Sequence, residues 1–328
     1  MKKTTKLIII AAIILSATAS WGAGLLDSAT YNCTDLFLSL PAGAFLGGFD
    51  VLPNGNYVIN DGHSVREITQ SGADVQTLYT YSASVFGSFV KYNNGLVYFA
   101  DNDYTSSMVR TFDPVTAVVN DVTRLDWNYD IDFYGNNAFV VAGNTVYALD
   151  ASNNTTPVAT AAGYSGPVAL DAAGNLYYCP SNYPFATNIY MWSSAKVQGA
   201  IEGDVLGIAD ADAAIAVNGA AGLAFDSLGR LLFSDNSGGQ AKLQRWDGVS
   251  IETLATLSRE DVESPAITFL RIDAETGGIY AGVNYYTDGY ANNYNYIVKL
   301  EQVPEPSSIA GLCSLIALAG SAVLRRRG

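Results

Sequence analysis

The sequence is poor in the residues on which most enzyme sites are built. It holds one histidine, His63, and three cysteines, Cys33, Cys179 and Cys313, in 328 residues. A Ser-His-Asp or Cys-His mechanism would have to run through His63, which sits in an Asp61-Gly62-His63 turn, and no nucleophile-elbow motif accompanies it. The cysteines form no obvious disulfide framework: Cys313 lies in a C-terminal apolar run, and Cys33 and Cys179 fall in different repeats of the chain. Basic residues are also scarce, with 17 Lys and Arg against 31 Asp and Glu and a formal net charge of −14. That sign argues against nucleic acid or anionic lipid as a partner. What the chain has in quantity is Tyr (21) and Gly (31), with Asn beside them, the composition of turn-rich β-structure.

Long apolar runs occur only at the two ends. At the N-terminus Lys2, Lys3 and Lys6 precede an apolar stretch over 7–15, and Ala17-Thr18-Ala19 offers a small-x-small cleavage pattern. A run this short falls well below the ~20 residues of a spanning helix, so 1–19 reads as a signal peptide cut near 19–23. At the C-terminus Val303-Pro304-Glu305-Pro306 leads into the uncharged run 309–324, and Arg325, Arg326 and Arg327 follow it. That order predicts a transmembrane helix whose arginines hold its end in the cytoplasm. Six of the 17 basic residues fall in these two ends, so the body between them is the more acidic part.

The segment 303–328 resembles the PEP-CTERM sorting signal of Gram-negative bacteria. The resemblance implies that Pro304, Glu305 and Pro306 are read by exosortase. It also implies export across the inner membrane, a transient anchor through the C-terminal helix, and release to the cell surface or extracellular space. Because that sorting system accompanies extracellular polymer production, it implies exopolysaccharide, or another surface protein, as a partner in a biofilm setting.

Between the ends, over 24–302, one pattern recurs. The stretch 222–235, GLAFDSLGRLLFSD, reads as two short apolar strands around an Asp-Gly turn. Equivalent stretches place the turn glycine at Gly55, Gly95, Gly135, Gly174, Gly229 and Gly277, at intervals of 40, 40, 39, 55 and 48 residues. A period near forty with several short strands per unit predicts an all-β, six-bladed β-propeller. The last repeat has room for only three strands, whereas 34–40 is a strand-like run with no repeat of its own. The N-terminal strand is therefore expected to complete blade six beside 296–300, since an open ring would leave exposed edges. Blade four is expected over 167–201, with 203–220 as an insertion between blades. The run NGNYVINDGHSVREI (54–68) is similar to NHL-type propeller repeats, a family united by fold rather than by one activity.

Candidate sites follow from that geometry. Connections between second and third strands, and connections between blades, emerge on one face of a propeller. The longest of them carry Tyr104, then Tyr183 and Phe185, then Tyr285, Tyr286, Tyr290 and Tyr294 in a loop over 284–295, amid Asn and Gly. Flat rings with adaptable hydrogen-bonding neighbours suit a recognition face and fit sugars. Asp101, Asp103, Asp210, Asp212 and Asp235 offer hard oxygen ligands of the kind Ca²⁺ prefers, without EF-hand spacing. Propeller lactonases resembling gluconolactonase use a central metal on inner strands, where Asp50, Asp132, Asp171, Asp226 and Asp273 recur here; the turn chemistry alone also explains those aspartates. The leading expectation is a non-catalytic surface or matrix protein with no cofactor. The alternatives are a metal-dependent propeller hydrolase, lactonase or lyase, and a purely structural matrix component.

The sorting segment generates a direct test. Glu305→Ala should leave the thermal midpoint of the body unchanged while the precursor accumulates in the membrane, followed by immunoblotting of membrane and secreted fractions. Normal processing of that variant contradicts the exosortase reading.

Overall fold

A computed structural model describes residues 24–41, 44–82, 86–102, 107–181, 187–257, 261–273 and 276–303. The stretches expected to be a signal peptide (1–19) and a sorting segment, with Pro304, Glu305, Pro306, the apolar run 309–324 and Arg325–327, lie outside the described residues, as do Asp103, Tyr104, Tyr183 and Phe185. Among the described residues no helix is long and apolar enough to cross a membrane.

The chain opens with β1 (Tyr31–Phe37), and six four-stranded antiparallel sheets follow from it. Blade one is β2 (Gly48–Val51), β3 (Tyr57–Asn60), β4 (Ser64–Ile68) and β5 (Asp74–Thr80). Blade two is β6 (Phe86–Asn93), β7 (Leu96–Asn102), β8 (Met108–Asp113) and β9 (Val118–Arg124). Blade three is β10 (Asn128–Tyr134), β11 (Asn137–Ala142), β12 (Thr145–Leu149) and β13 (Thr155–Thr160). Blade four is β14 (Val168–Leu170), β15 (Leu176–Tyr178), β16 (Thr187–Trp192) and β17 (Ala213–Val217). Blade five is β18 (Leu223–Phe225), β19 (Leu231–Asp235), β20 (Ala241–Trp246) and β21 (Ile251–Leu257). Blade six is β22 (Glu263–Ile272), β23 (Ile279–Thr287) and β24 (Asn292–Gln302), with β1 as its outer strand. All six turn glycines singled out by the repeat hold positive φ, between 61° and 86°, the conformation that only glycine adopts without cost.

The first strands of the blades stand side by side and ring a central channel. Gly222 shows how closely they approach: a Cβ there would lie 2.2 Å from the Thr268 carbonyl oxygen of β22. Between consecutive blades lie six apolar clusters, one per interface. Alternation supplies them, because each strand buries side chains on both sheet faces, one toward each neighbouring blade.

Ring closure follows the sequence expectation with a shift of three residues. β1 pairs antiparallel with β24, from Tyr31 opposite Gln302 to Phe37 opposite Tyr296. Leu36 and Leu38 pack with Leu46, Phe49 and Ile297 and seal blade six against blade one. Phe37 points the other way and is 51% exposed, its ring 5.4 Å from that of Tyr296. Ahead of β1, Asp27 exchanges two backbone hydrogen bonds of 2.9 Å with Thr256 and covers the outer edge of blade five.

Two expectations are corrected. The segment 203–220 is not an insertion between blades: β17 within it is the outer strand of blade four. The extra length, which explains the interval of 55, lies between the third and fourth strands. There α1 (Ser194–Glu202) packs Val197 and Ala200 into the interface of blades three and four. Leu206 then pairs with the edge of β13 through hydrogen bonds to Val158 and Thr160. A third-to-fourth connection emerges on the face opposite the expected one, so this insertion covers an edge and does not build the recognition face. The second correction concerns 284–295, which is not a loop. β23 runs to Thr287 and β24 starts at Asn292, leaving a tight turn over 288–291. Cys33 in β1 and Cys179 after β15 stand in different blades.

Closure yields a stability prediction. Deleting residues through Phe37 exposes the edge of β24 and removes Leu36; burial of such a side chain contributes about 1.5–3 kcal/mol, before the ladder is counted. Against the roughly 5–15 kcal/mol available to a native domain, the truncated chain is expected to be insoluble or to unfold at much lower urea. An unchanged urea midpoint contradicts this closure.

Candidate functional site

The central channel has two mouths, and the first strands dress them differently. At the mouth formed by the first-to-second turns, Asp171 and Asp226 behave as turn residues: Asp171 Oδ1 accepts from Ala173 and Asn175, and Asp226 Oδ1 from Leu228 and Arg230. Asp273 accepts from Thr276 in the same way. Asp50 and Asp132 depart from that expectation. Asp50 Oδ2 accepts the Tyr92 N–H of the next blade at 2.6 Å, and Asp132 Oδ2 accepts the Leu170 N–H of the next blade at 2.7 Å. The cause is topological: the inner edge of each first strand has no further strand to pair with, and a carboxylate from its neighbour supplies the acceptor.

These bridges meet at a buried ionic hub. Lys91 binds Asp132 and donates to the Ile131 carbonyl at 3.3 Å. Arg271, almost fully buried, donates through Nη1 to the Leu270 carbonyl at 2.8 Å and through Nη2 to the Val90 carbonyl across the channel at 3.2 Å. Its Nε stands 3.8 Å from Asp50, and its Nη2 3.9 Å from the buried Asp130. Asp130 in turn accepts from Ile131 and from Val168 of the next blade. Burial pushes the Asp50 and Asp130 carboxyls above the ordinary carboxylate range, and Arg271 pulls both back. The hub thus joins blades six, one, two, three and four.

Above the hub, Tyr129 and Phe269 stack at 5.9 Å, and the Tyr129 hydroxyl donates to Ala221 of the link into blade five at 2.8 Å. Their rings form the floor of a cavity of about 400 Å³ at the opposite mouth, where inter-blade and second-to-third connections emerge. Its rim is aromatic: Tyr164 is 64%, Trp127 44% and Phe45 37% exposed. Ser88, Asn102 and Ser165 supply polar groups, and the buried Asn102 Oδ1 has no hydrogen-bond partner among the described residues. Tyr286 lies 6.4 Å from Phe45, and Tyr290 5.4 Å from Tyr286, so these two extend the aromatic surface. Trp127 and Tyr290 hold φ of 61° and 67°, a region uncommon for bulky residues and one that clusters at functional sites.

The expected four-tyrosine platform is therefore split by strand alternation. Tyr286 and Tyr290 face the aromatic mouth. Tyr285 and Tyr294 are cross-strand partners stacked at 5.1 Å on the other side of the hairpin, and Tyr285 is buried. Trp127, Tyr164, Phe45, Tyr129 and Phe269 were missed. For all but Phe269, which lies well inside β22, the signal that could have found them is a bulky aromatic just before or at the start of a first strand.

The aspartates considered for Ca²⁺ are engaged locally. Asp101 accepts from Met108 N–H at 2.7 Å and pairs with Arg110 at 2.9 Å. Asp210 accepts from Gly207, and Asp235 from Ser237. Asp212 binds Lys196 at 2.6 Å, which holds its carboxyl down at about 2. Among the described residues no group of three or more His, Cys, Asp or Glu stands together as a metal site. The His63 backbone closes the Asp61 turn, its N–H donating to Asp61 Oδ1 at 2.9 Å.

No family model matches the sequence, and no curated protein matches it. Solved structures do match in shape. The putative oxidoreductase (glucose dehydrogenase) of Thermus thermophilus superposes with a TM-score of 0.58 at 12% identity, over 83% of this chain and 100% of that one. A putative gluconolactonase gives 0.55 at 10% identity, over 85% and 96%. The PQQ-bound aldose sugar dehydrogenase of Streptomyces coelicolor gives 0.54 at 10% identity, over 82% and 98%. At these identities the likeness is one of fold, a six-bladed propeller body.

The hub yields a prediction with a sign. Arg271→Met leaves two buried carboxylates without their cation and is expected to cost about 3–5 kcal/mol at neutral pH. The folded-state pKa values of Asp50 and Asp130 lie above their unfolded values, so protonation favours the folded state. The deficit should shrink as pH falls through the carboxylate range. Urea unfolding of both proteins across pH reads this directly; a pH-independent deficit contradicts it.

Proposed function

We propose that the chain is an exported six-bladed propeller that binds a sugar-class ligand at the aromatic mouth of its channel. The observation that carries this reading is the exposed rim of Tyr164, Trp127 and Phe45 around a cavity of about 400 Å³, with Asn102 Oδ1 buried and lacking a donor among the described residues. An aromatic face packs against the C–H face of a sugar, and a hydroxyl supplies the donor that Asn102 lacks. The setting proposed from the two ends is export, exosortase-dependent sorting and release to the surface, where exopolysaccharide is the available sugar polymer.

A second reading, a propeller enzyme of sugars or sugar lactones, draws support from the fold matches, a putative glucose dehydrogenase, a putative gluconolactonase and an aldose sugar dehydrogenase. Both readings share the ligand class and differ on turnover. Incubating the purified chain with glucono-1,5-lactone, with and without added Ca²⁺, separates them: hydrolysis above the uncatalysed rate favours the enzyme, and binding without turnover favours the receptor.

For the binding reading, each exposed ring is expected to contribute about 1 kcal/mol. Trp127→Ala and Tyr164→Ala should then each raise the Kd for soluble exopolysaccharide fragments about fivefold, measured by calorimetry. The same affinity in the double variant contradicts this location of the site.

A further inference from the structure

The mouth opposite the aromatic rim holds a cavity of about 510 Å³ whose two halves differ in chemistry. Blades six, one, two and three line it with Asp50, Lys91, Asp132 and Arg271, and Asp273 follows Arg271 at the edge. Blades four and five line it with apolar side chains alone, Leu170, Leu223 and Phe225, whereas the charges of the other blades stand among Val51, Leu52, Leu270 and Ile272. Three carboxylates face two bases, and Asp130 lies buried beneath them.

The bases are already committed. Lys91 is held by Asp132 and the Ile131 carbonyl, and Arg271 by the Leu270 and Val90 carbonyls. The Arg271 Nε stays 3.8 Å from Asp50, beyond hydrogen-bonding distance, and makes no hydrogen bond among the described residues. Among the described residues Asp50 is met at contact only by the N–H groups of Val51 and Tyr92, one on each oxygen. Each carboxylate oxygen of an ionised Asp accepts two hydrogen bonds, so Asp50 keeps spare acceptors and no contact cation.

We propose that this mouth binds a small organic cation, a primary ammonium on a short apolar body. The ammonium sits against Asp50 and Asp132 and donates to their spare lone pairs, and the body lies on Leu170, Leu223 and Phe225. An amphipathic cation uses both halves, whereas a neutral or anionic ligand of the same size uses one. The overall charge of −14 favours the same sign of ligand at long range.

The titratable and charged groups facing the ammonium are Asp50 from β2, Lys91 and Tyr92 from β6, Asp130 and Asp132 from β10, and Arg271 with Asp273 from β22 and its end. β14 and β18 present apolar side chains only. Burial raises the Asp50 and Asp130 carboxyls, so a bound cation releases protons from them and affinity rises with pH through the carboxylate range.

The test is calorimetric titration of the purified chain with n-butylammonium chloride, n-butanol and sodium butyrate, three probes of one length and different charge. The expected result is n-butylammonium binding at least about tenfold tighter than either of the others. Its affinity should rise with pH and fall about tenfold or more in Asp50→Asn and in Phe225→Ala. Equal affinity for n-butanol, no binding of n-butylammonium, or a folded Asp50→Asn that binds it unchanged overturns the proposal. The three-probe comparison needs no variant, so it decides the matter even where a variant fails to fold. It reads a different mouth from the sugar site, and neither result bears on the other.

Discussion

The pairing of β1 with β24 is the contact on which the rest depends. A ring of sheets has no intrinsic end, and only a strand from the far end of the chain turns six separate blades into a closed circle. Closure fixes the distance between first strands around the channel. Only at that distance does the Arg271 guanidinium of blade six reach the Val90 carbonyl of blade two, with Asp130 of blade three beside it. The ionic hub is a consequence of closure and also a clamp upon it.

The hub and the Tyr129–Phe269 stack divide the channel into two unlike compartments. Below, charge is concentrated, largely engaged and drawn from first strands. Above, exposed rings come from the connections between blades, with few committed polar groups. The two proposals give them different partners: a ligand with a C–H face and hydroxyl donors above, and a charged small molecule below. A propeller permits this because its blades contribute to both mouths from the same short strands, so one scaffold positions two surfaces rigidly.

Much of the fold was legible in the residues because the repeat is marked by turn chemistry. Six glycines at a spacing near forty each need positive φ, and each has it. The missing fourth strand of the last repeat pointed to closure, though β1 starts at Tyr31 rather than 34 because ladder pairing extends the strand into polar residues. Blade four was misread because its outer strand, AAIAV, carries little β signal and follows a short helix whose N-cap, Ser193, makes no side-chain cap hydrogen bond. The Tyr and Asn of 284–295 looked like a loop by composition, whereas their alternation is that of a long hairpin. At the site, Asp50 and Asp132 share sequence positions with true turn aspartates, and only the neighbouring blade distinguishes their role. Arg271 and Asp130 gave one unused signal, a charge embedded in an apolar first strand. The rings of Trp127 and Tyr164 lay in short inter-blade links that carry no motif.

Amide hydrogen exchange of the purified chain with and without soluble exopolysaccharide fragments tests the central claim, a sugar-class ligand at the aromatic mouth. The account predicts added protection confined to the links around Phe45, Trp127 and Tyr164 and to the turn bearing Tyr290, with the turns at the opposite mouth unchanged. Protection at those opposite turns alone, or none anywhere, would contradict it.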